Sequence, residues 1–165
     1  MQKALFLDRD GVINSDVGHY YIYKIDDFII NDGIIPALQK ISKAGYLLFI
    51  VSNQGGIAKG IYTETDVEIL HNHLLSLLEK ENIQIKKIYF CPHHDSVQKC
   101  NCRKPSPYFL NKAIKEYQID ASKSYMIGDS PRDIQAAEAA GVKGIKIDSN
   151  ENISTYCNQI IKGEI

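Results

Sequence analysis

Short apolar runs alternate along the chain with longer stretches in which apolar side chains recur every third or fourth position. KALFLD (3–8), YLLFIVS (46–52), KKIYF (86–90), SYMIGD (124–129) and GIKID (144–148) are short and mostly apolar, and read as strands. Helical spacing fills the intervals. The stretch 34–45 stops at Gly45, a residue suited to the left-handed turn that ends a helix. From about Glu64 to Glu81, Val67, Leu70, Leu74 and Leu77 share one face behind Thr63, a good N-cap. Pro107 to Tyr117 gathers Phe109, Leu110, Ala113 and Ile114 on its apolar side, and a helix from Pro131 to Ala140 is bracketed by Ser130 and Gly141. The tail after Asn150 has only a weak helical pattern and is assigned no element.

Strands that alternate with helices, and are apolar on both faces, predict an α/β fold with a parallel sheet covered on two sides. A length of 165 residues fits one domain, 1–165, with enough chain to bury a core. The composition is 44% hydrophobic and 24% charged, which argues against disorder. A formal net charge of -1 gives no general attraction for nucleic acid or anionic lipid, so any affinity for a phosphorylated ligand rests on local cations. The apolar run in MQKALFLDRDG meets charge almost at once, unlike a signal peptide or membrane span, and a cytoplasmic protein is expected.

In open parallel sheets, ligands bind beyond the carboxyl ends of the strands. Three of those ends carry chemistry. The first leads into Asp8-Arg9-Asp10-Gly11, the second into Ser52-Asn53-Gln54-Gly55, and the fourth into Gly128-Asp129. An isolated D-x-D-G is usually a turn with solvated acids. Matching strand ends elsewhere change that reading, because the sheet would bring all three to one small volume. Clustered carboxylates need a cation, and oxygen donors favour Mg²⁺, which readily keeps a phosphoryl ligand. Asp8 and Asp10, two apart on extended chain, would face the same way and could divide nucleophilic and proton-transfer roles. Asp133 has a sufficient explanation in Ser130-Pro131-Arg132-Asp133, a capping box, and is expected as a cap or a support to the metal site. GGIAKG (55–60) lacks the Gly-Lys-Ser/Thr ending of a nucleotide-binding P-loop.

The stretch CPHHDSVQKCNCRKPSP (91–107) concentrates three of the four cysteines and two of the five histidines. Cys91, His93, Cys100 and Cys102 would close a tetrahedral zinc site with no position left for water, so that metal is expected to be structural. Cys100 and Cys102 are too close in sequence to bridge comfortably, and a reducing compartment disfavours disulfides. His94 is an alternative to His93. Arg103 and Lys104 follow the last thiolate directly, so fixing the metal would fix two cations for a phosphate. Cys157 reads as a core or tail residue.

FLDRDGVIN, VSNQ, Lys104 and GDSPRD together resemble the four motifs of the haloacid dehalogenase superfamily of phosphohydrolases, in order and over nearly the whole chain. The resemblance implies a three-layer, doubly wound Rossmann-like sheet. It implies that Asp8 attacks phosphorus and carries a transient aspartyl-phosphate, and that Asp10 serves as acid and then base. It implies that Ser52 and Lys104 grip the phosphoryl oxygens, and that Asp8, the Asp10 carbonyl and Asp129 hold Mg²⁺. The Cys-Pro-His loop ending in Cys-x-Cys-Arg-Lys-Pro resembles a narrower subgroup without a cap domain, which supports His93 over His94 as zinc ligand. Its members act on D-glycero-D-manno-heptose 1,7-bisphosphate or on histidinol phosphate. DRDGVINSDVGHYYIYKIDDFIINDG and NQGGIAKGIYTE resemble loops of the heptose-specific members. That resemblance implies sugar contacts at Asp16 to His19, substrate contacts at Asn53 and Gln54, and recognition beyond the transferred phosphate by Arg103. Ser130 and Val12 depart from the Lys or Arg and the Thr that are common there. A phospho-accepting receiver module is the alternative from another class, and a monomer is expected.

Overall fold

A computed structural model describes residues 1–165. Five strands, β1 (Lys3–Leu7), β2 (Tyr46–Asn53), β3 (Ile85–Cys91), β4 (Tyr125–Gly128) and β5 (Lys143–Lys146), form one sheet in the order β3-β2-β1-β4-β5. Every pairing is parallel, with Phe6 opposite both Phe49 and Met126. The helices are α1 (Ile34–Lys43), α2 (Glu64–Lys80), α3 (Tyr108–Tyr117), α4 (Pro131–Ala139) and α5 (Ser154–Lys162).

The continuous apolar runs follow from this layering. Strand side chains alternate between faces, so Leu5 and Leu7 of β1, with Leu48 and Ile50 of β2, enter one core with α1, α2 and α5. Ala4 and Phe6, with Phe49 and Val51, enter a second core under α3 and α4. A strand buried on both faces has no polar positions until it ends. Burying each leucine or isoleucine removes about 2–3 kcal/mol worth of apolar surface from water, so these two layers fix the sheet and, with it, the positions of the strand ends.

Boundaries differ from expectation in instructive ways. On α2, Leu78 is fully buried and Leu77 only partly, because the face turns slightly along the helix. The tail forms α5, whose Cys157 and Ile160 are buried in the first core; the helix takes its stability from packing rather than from its own sequence. Thr63 caps α2 in a capping box with Asp66, and Ser130 caps α4 in one with Asp133. No helix is long and apolar enough to cross a membrane.

The chain lays β2 and β3 on one side of β1, then returns to place β4 and β5 on the other. The crevice between the carboxyl ends of β1 and β4 is therefore the switch point where such sheets bind ligands.

Candidate active site

Asp8 and Asp129 stand at that switch point. The Asp8 backbone N–H donates to the Ile127 carbonyl at 3.1 Å, fastening the acid to the neighbouring strand. Gly11 then turns the chain away at φ 80°, and a β-carbon there would collide with the Asp129 carboxylate. Gly128 plays a matching part, since its missing side chain admits Asp133 against the strand end. The result is a floor on which Asp8, Asp129 and Asp133 each offer an oxygen within 4.8 Å of the others.

Lys104 reaches this floor from the far side of the loop after β3. Its ammonium donates to Asp8 at 2.8 Å, to Asp133 at 2.6 Å and to the Val51 carbonyl at 2.6 Å. Asn53 clamps its backbone, accepting from Lys104 N at 3.0 Å and donating to Lys104 O at 3.1 Å. Burial is the largest influence on Asp8 and pushes its carboxyl up to about 7; Lys104 opposes this, while Asp133 and Asp129 add to it. Burial also raises Asp129. Burial pulls the Lys104 pKa down, but Asp8 and Asp133 outweigh it, so the ammonium is held charged above its usual range. One ammonium against three carboxylates leaves the floor short of positive charge. Oxygen donors in that arrangement fit a hard divalent ion such as Mg²⁺. Asp133 thus belongs to the acidic floor while its other oxygen accepts from Ser130 N at 3.0 Å as a cap.

The Asp10 carboxylate stands beside the floor, at the cavity, and is held there by its neighbours. It accepts from Arg9 Nε at 3.0 Å, from Arg9 Nη2 at 2.9 and 3.0 Å, from Asn14 at 2.9 Å and from Gln54 at 3.2 Å. Gln54 also donates to Ser52 Oγ at 2.7 Å and accepts from Tyr62 at 2.6 Å. It is buried and does not line the cavity, so the expected substrate contact at Gln54 is replaced by a hold on Asp10 and Ser52.

Above the floor opens a cavity of about 330 Å³. Asp8, Asp10, Ser52, Lys104 and Asp129 reach it, and Asp16, His19, Asn53 and Arg103 stand around it. Asp16 is tied to the loop after β5, accepting from Ser149 at 3.1 Å and Asn150 at 2.8 Å. The wall residues that were not anticipated include Tyr20, Tyr21, His94 and Arg132. The aromatic run HYYIY (19–23) directly after the sugar-loop residues was the available signal for the tyrosines.

Beside the cavity, Cys91, His93, Cys100 and Cys102 converge. Their sulfur-to-sulfur separations are 3.1, 3.6 and 3.8 Å, and His93 Nδ1 lies 3.5 and 3.4 Å from Cys91 and Cys102. Zn–S bonds of about 2.3 Å in a tetrahedron place sulfurs roughly 3.8 Å apart, so the set fits zinc. No disulfide joins them. His94 lies outside the cluster, its Nδ1 accepting from Ser96 N at 3.1 Å. Arg103 donates to the His93 carbonyl at 3.1 Å, so the loop also steadies that guanidinium.

Residues 2–141 match the model of the haloacid dehalogenase-like hydrolases. The chain belongs to that family. Among individual relatives, it is 44% identical over 148 residues to the D-glycero-beta-D-manno-heptose-1,7-bisphosphate 7-phosphatase of Haemophilus ducreyi, covering 86% of this chain and 80% of that one. The protein of the same name from Escherichia coli is 43% identical over 150 residues, covering 87% and 77%. The crystal structure of D,D-heptose 1.7-bisphosphate phosphatase from B. bronchiseptica, complexed with magnesium and phosphate, superposes with a TM-score of 0.83 at 28% identity, covering 95% of this chain and 87% of that one.

In this haloacid dehalogenase-like hydrolase, the two sequence departures have structural settings. Val12 is buried in the first core. Ser130 caps α4, and a cation stands at the cavity wall two residues later, at Arg132.

Proposed function

We propose that this hydrolase removes the 7-phosphoryl group of D-glycero-β-D-manno-heptose 1,7-bisphosphate. The observation that carries the phosphomonoesterase reading is the meeting of Asp8, Asp129, Asp133 and Lys104 on the floor of one cavity. The names of the relatives support the substrate. In this reading an Asp8 oxygen bonds to phosphorus while the bond from phosphorus to the sugar oxygen breaks. Asp10, protonated for this step, gives its proton to the leaving alkoxide. As a carboxylate it then takes a proton from water, which attacks phosphorus and frees inorganic phosphate and Asp8. Ser52 and Lys104 orient the phosphoryl oxygens. Asp8, the Asp10 carbonyl and Asp129, with Asp133 beside them, would hold Mg²⁺, which would supply positive charge to offset the carboxylates and the phosphoryl oxygens. Zinc held by the thiolates and His93 keeps the Arg103–Lys104 segment in place and takes no part in the chemistry.

Both sites are completed within one chain, which supports a monomeric working unit, and unpaired thiols support a cytoplasmic setting. A phosphate-release panel in Mg²⁺ tests the reading with heptose bisphosphate, histidinol phosphate and simple sugar phosphates. The heptose bisphosphate should give the highest kcat/KM. Preference for histidinol phosphate would overturn the substrate, and a lasting aspartyl-phosphate without turnover would overturn the enzyme in favour of a receiver.

A further inference from the structure

Behind Asp10 lies a buried charge with an unusual partner. The Arg9 side chain is fully buried, and its fork takes the Asp10 carboxylate through Nε and Nη2. Nη2 also donates to the Ile22 carbonyl at 2.5 Å. Nη1 points the other way, 3.1 Å from His71 Nε2 on α2. Guanidinium nitrogens only donate, so His71 must be the acceptor here and carries its own hydrogen on Nδ1. Burial, and then Arg9 itself, lowers the His71 pKa to about 3, so the ring is neutral and able to accept. The residue is only 6% exposed, and its ring stands edge-to-face with that of Phe90, the ring centres 5.6 Å apart.

We propose that His71 is a positioning residue for the reaction: by accepting from Arg9 it fixes the guanidinium that holds the Asp10 carboxylate at the cavity. Without that acceptor, one end of the fork is a buried donor lacking a partner, and the fork can swing about its remaining contacts. Displacement of an acid–base group by even a fraction of an ångström slows proton transfer more than it weakens substrate binding. A plain structural role for His71, filling space under α2, would affect stability and leave individual steps of the reaction alone.

The inference rests on the acid–base role given to Asp10 above. His71→Leu removes the acceptor and keeps much of the volume; His71→Gln retains an acceptor at the end of a side chain. With heptose bisphosphate, His71→Leu should lower kcat about tenfold with KM unchanged. With p-nitrophenyl phosphate, whose leaving group needs no proton, formation of the aspartyl-phosphate is spared and its hydrolysis slowed. Rapid mixing should then show a burst of p-nitrophenolate absent from wild type, and His71→Gln should restore most of kcat and remove the burst. Wild-type rates without a burst in His71→Leu, or equal loss in both variants tracking a lower melting temperature, would overturn the proposal. If His71→Leu does not fold, Arg9→Lys, which keeps charge and loses the fork, should give the same burst, and its absence would count equally against the idea. Asp10→Asn separates the two readings. If it turns over normally, the role of Asp10 fails; if it is inactive while His71→Leu and Arg9→Lys are normal, only the positioning role fails.

Discussion

The molecule gathers two clusters suited to divalent ions, and they are built in opposite ways. The carboxylate floor takes Asp8, Asp129 and Asp133 from the ends of two different strands and the start of α4, and does not exist until the sheet has formed. The thiol cluster takes Cys91 from the last position of β3 and its other three donors from the loop that follows, all within residues 91 to 102. Oxygen donors on a preformed floor suit a weakly held hard ion that shares itself with substrate, whereas thiolates and an imidazole suit an ion that stays and shapes the chain. The first site waits on the fold; the second completes it. They join at Lys104, two residues beyond Cys102, whose ammonium lies between Asp8 and Asp133.

The sharpest way to break the comparison is to disable the floor alone. Asp8→Asn should lower turnover by roughly a thousandfold or more, because it removes the nucleophile rather than a contact. Zinc content by elemental analysis and the thermal transition should stay near wild type. Substantial residual turnover would remove Asp8 from its place. The converse experiment disables the loop. Neither core layer contains Cys91 or Cys102, so Cys102→Ala should keep the sheet while losing zinc. Freed of its clip, the Arg103–Lys104 segment should cost about 10–100-fold in kcat/KM, mostly through KM. Full zinc loss with unchanged KM would show the two sites to be independent. A milder probe of the junction is Asn53→Ala, which leaves both clusters intact and releases the backbone of Lys104. About a tenfold loss in kcat/KM is expected, with zinc retained.

The same contrast explains what the sequence disclosed. The loop was legible because its ligands are contiguous and their residue types rarely coincide by chance. The floor was legible one step later, since strand ends bearing Asp8, Ser52 and Asp129 converge once a parallel sheet is assumed. Helix caps at Thr63 and Ser130 announced themselves through local hydrogen-bond chemistry. Less visible were groups whose meaning depends on distant partners. Arg9 between two aspartates looks like a solvated turn residue until the fold buries it completely. His71 carries no signal on α2, where it follows Leu70 and reads as the polar edge of an apolar face. Gln54, expected at the substrate, turns inward because Tyr62 and Asp10 are within its reach. Helix α5 was faint for a related reason: its buried Cys157 and Ile160 need α1 to pack against.

The smallest effect concerns the one buried imidazole, and it belongs to stability rather than rate. Burial and the neighbouring Arg9 lower the His71 pKa from its ordinary 6.5 to about 3. Above pH 6.5 both folded and unfolded chains hold this ring neutral, so it contributes no slope. As pH falls below that, the unfolded chain takes up a proton that the folded chain refuses, and the equilibrium drifts toward unfolding. One proton corresponds to about 1.4 kcal/mol per pH unit at its steepest, and the drift ends where the folded ring itself protonates. Asp8, pushed up to about 7, also takes up a proton between pH 7 and 5, but it does so in wild type and variant alike, so the difference between them isolates the ring in that window. Urea titrations there should show wild type losing about 2 kcal/mol more than His71→Gln, which has no ring to protonate. Parallel curves would mean that the imidazole is reachable by water and a proton in the folded state, and that it does not face Arg9 as a permanent acceptor.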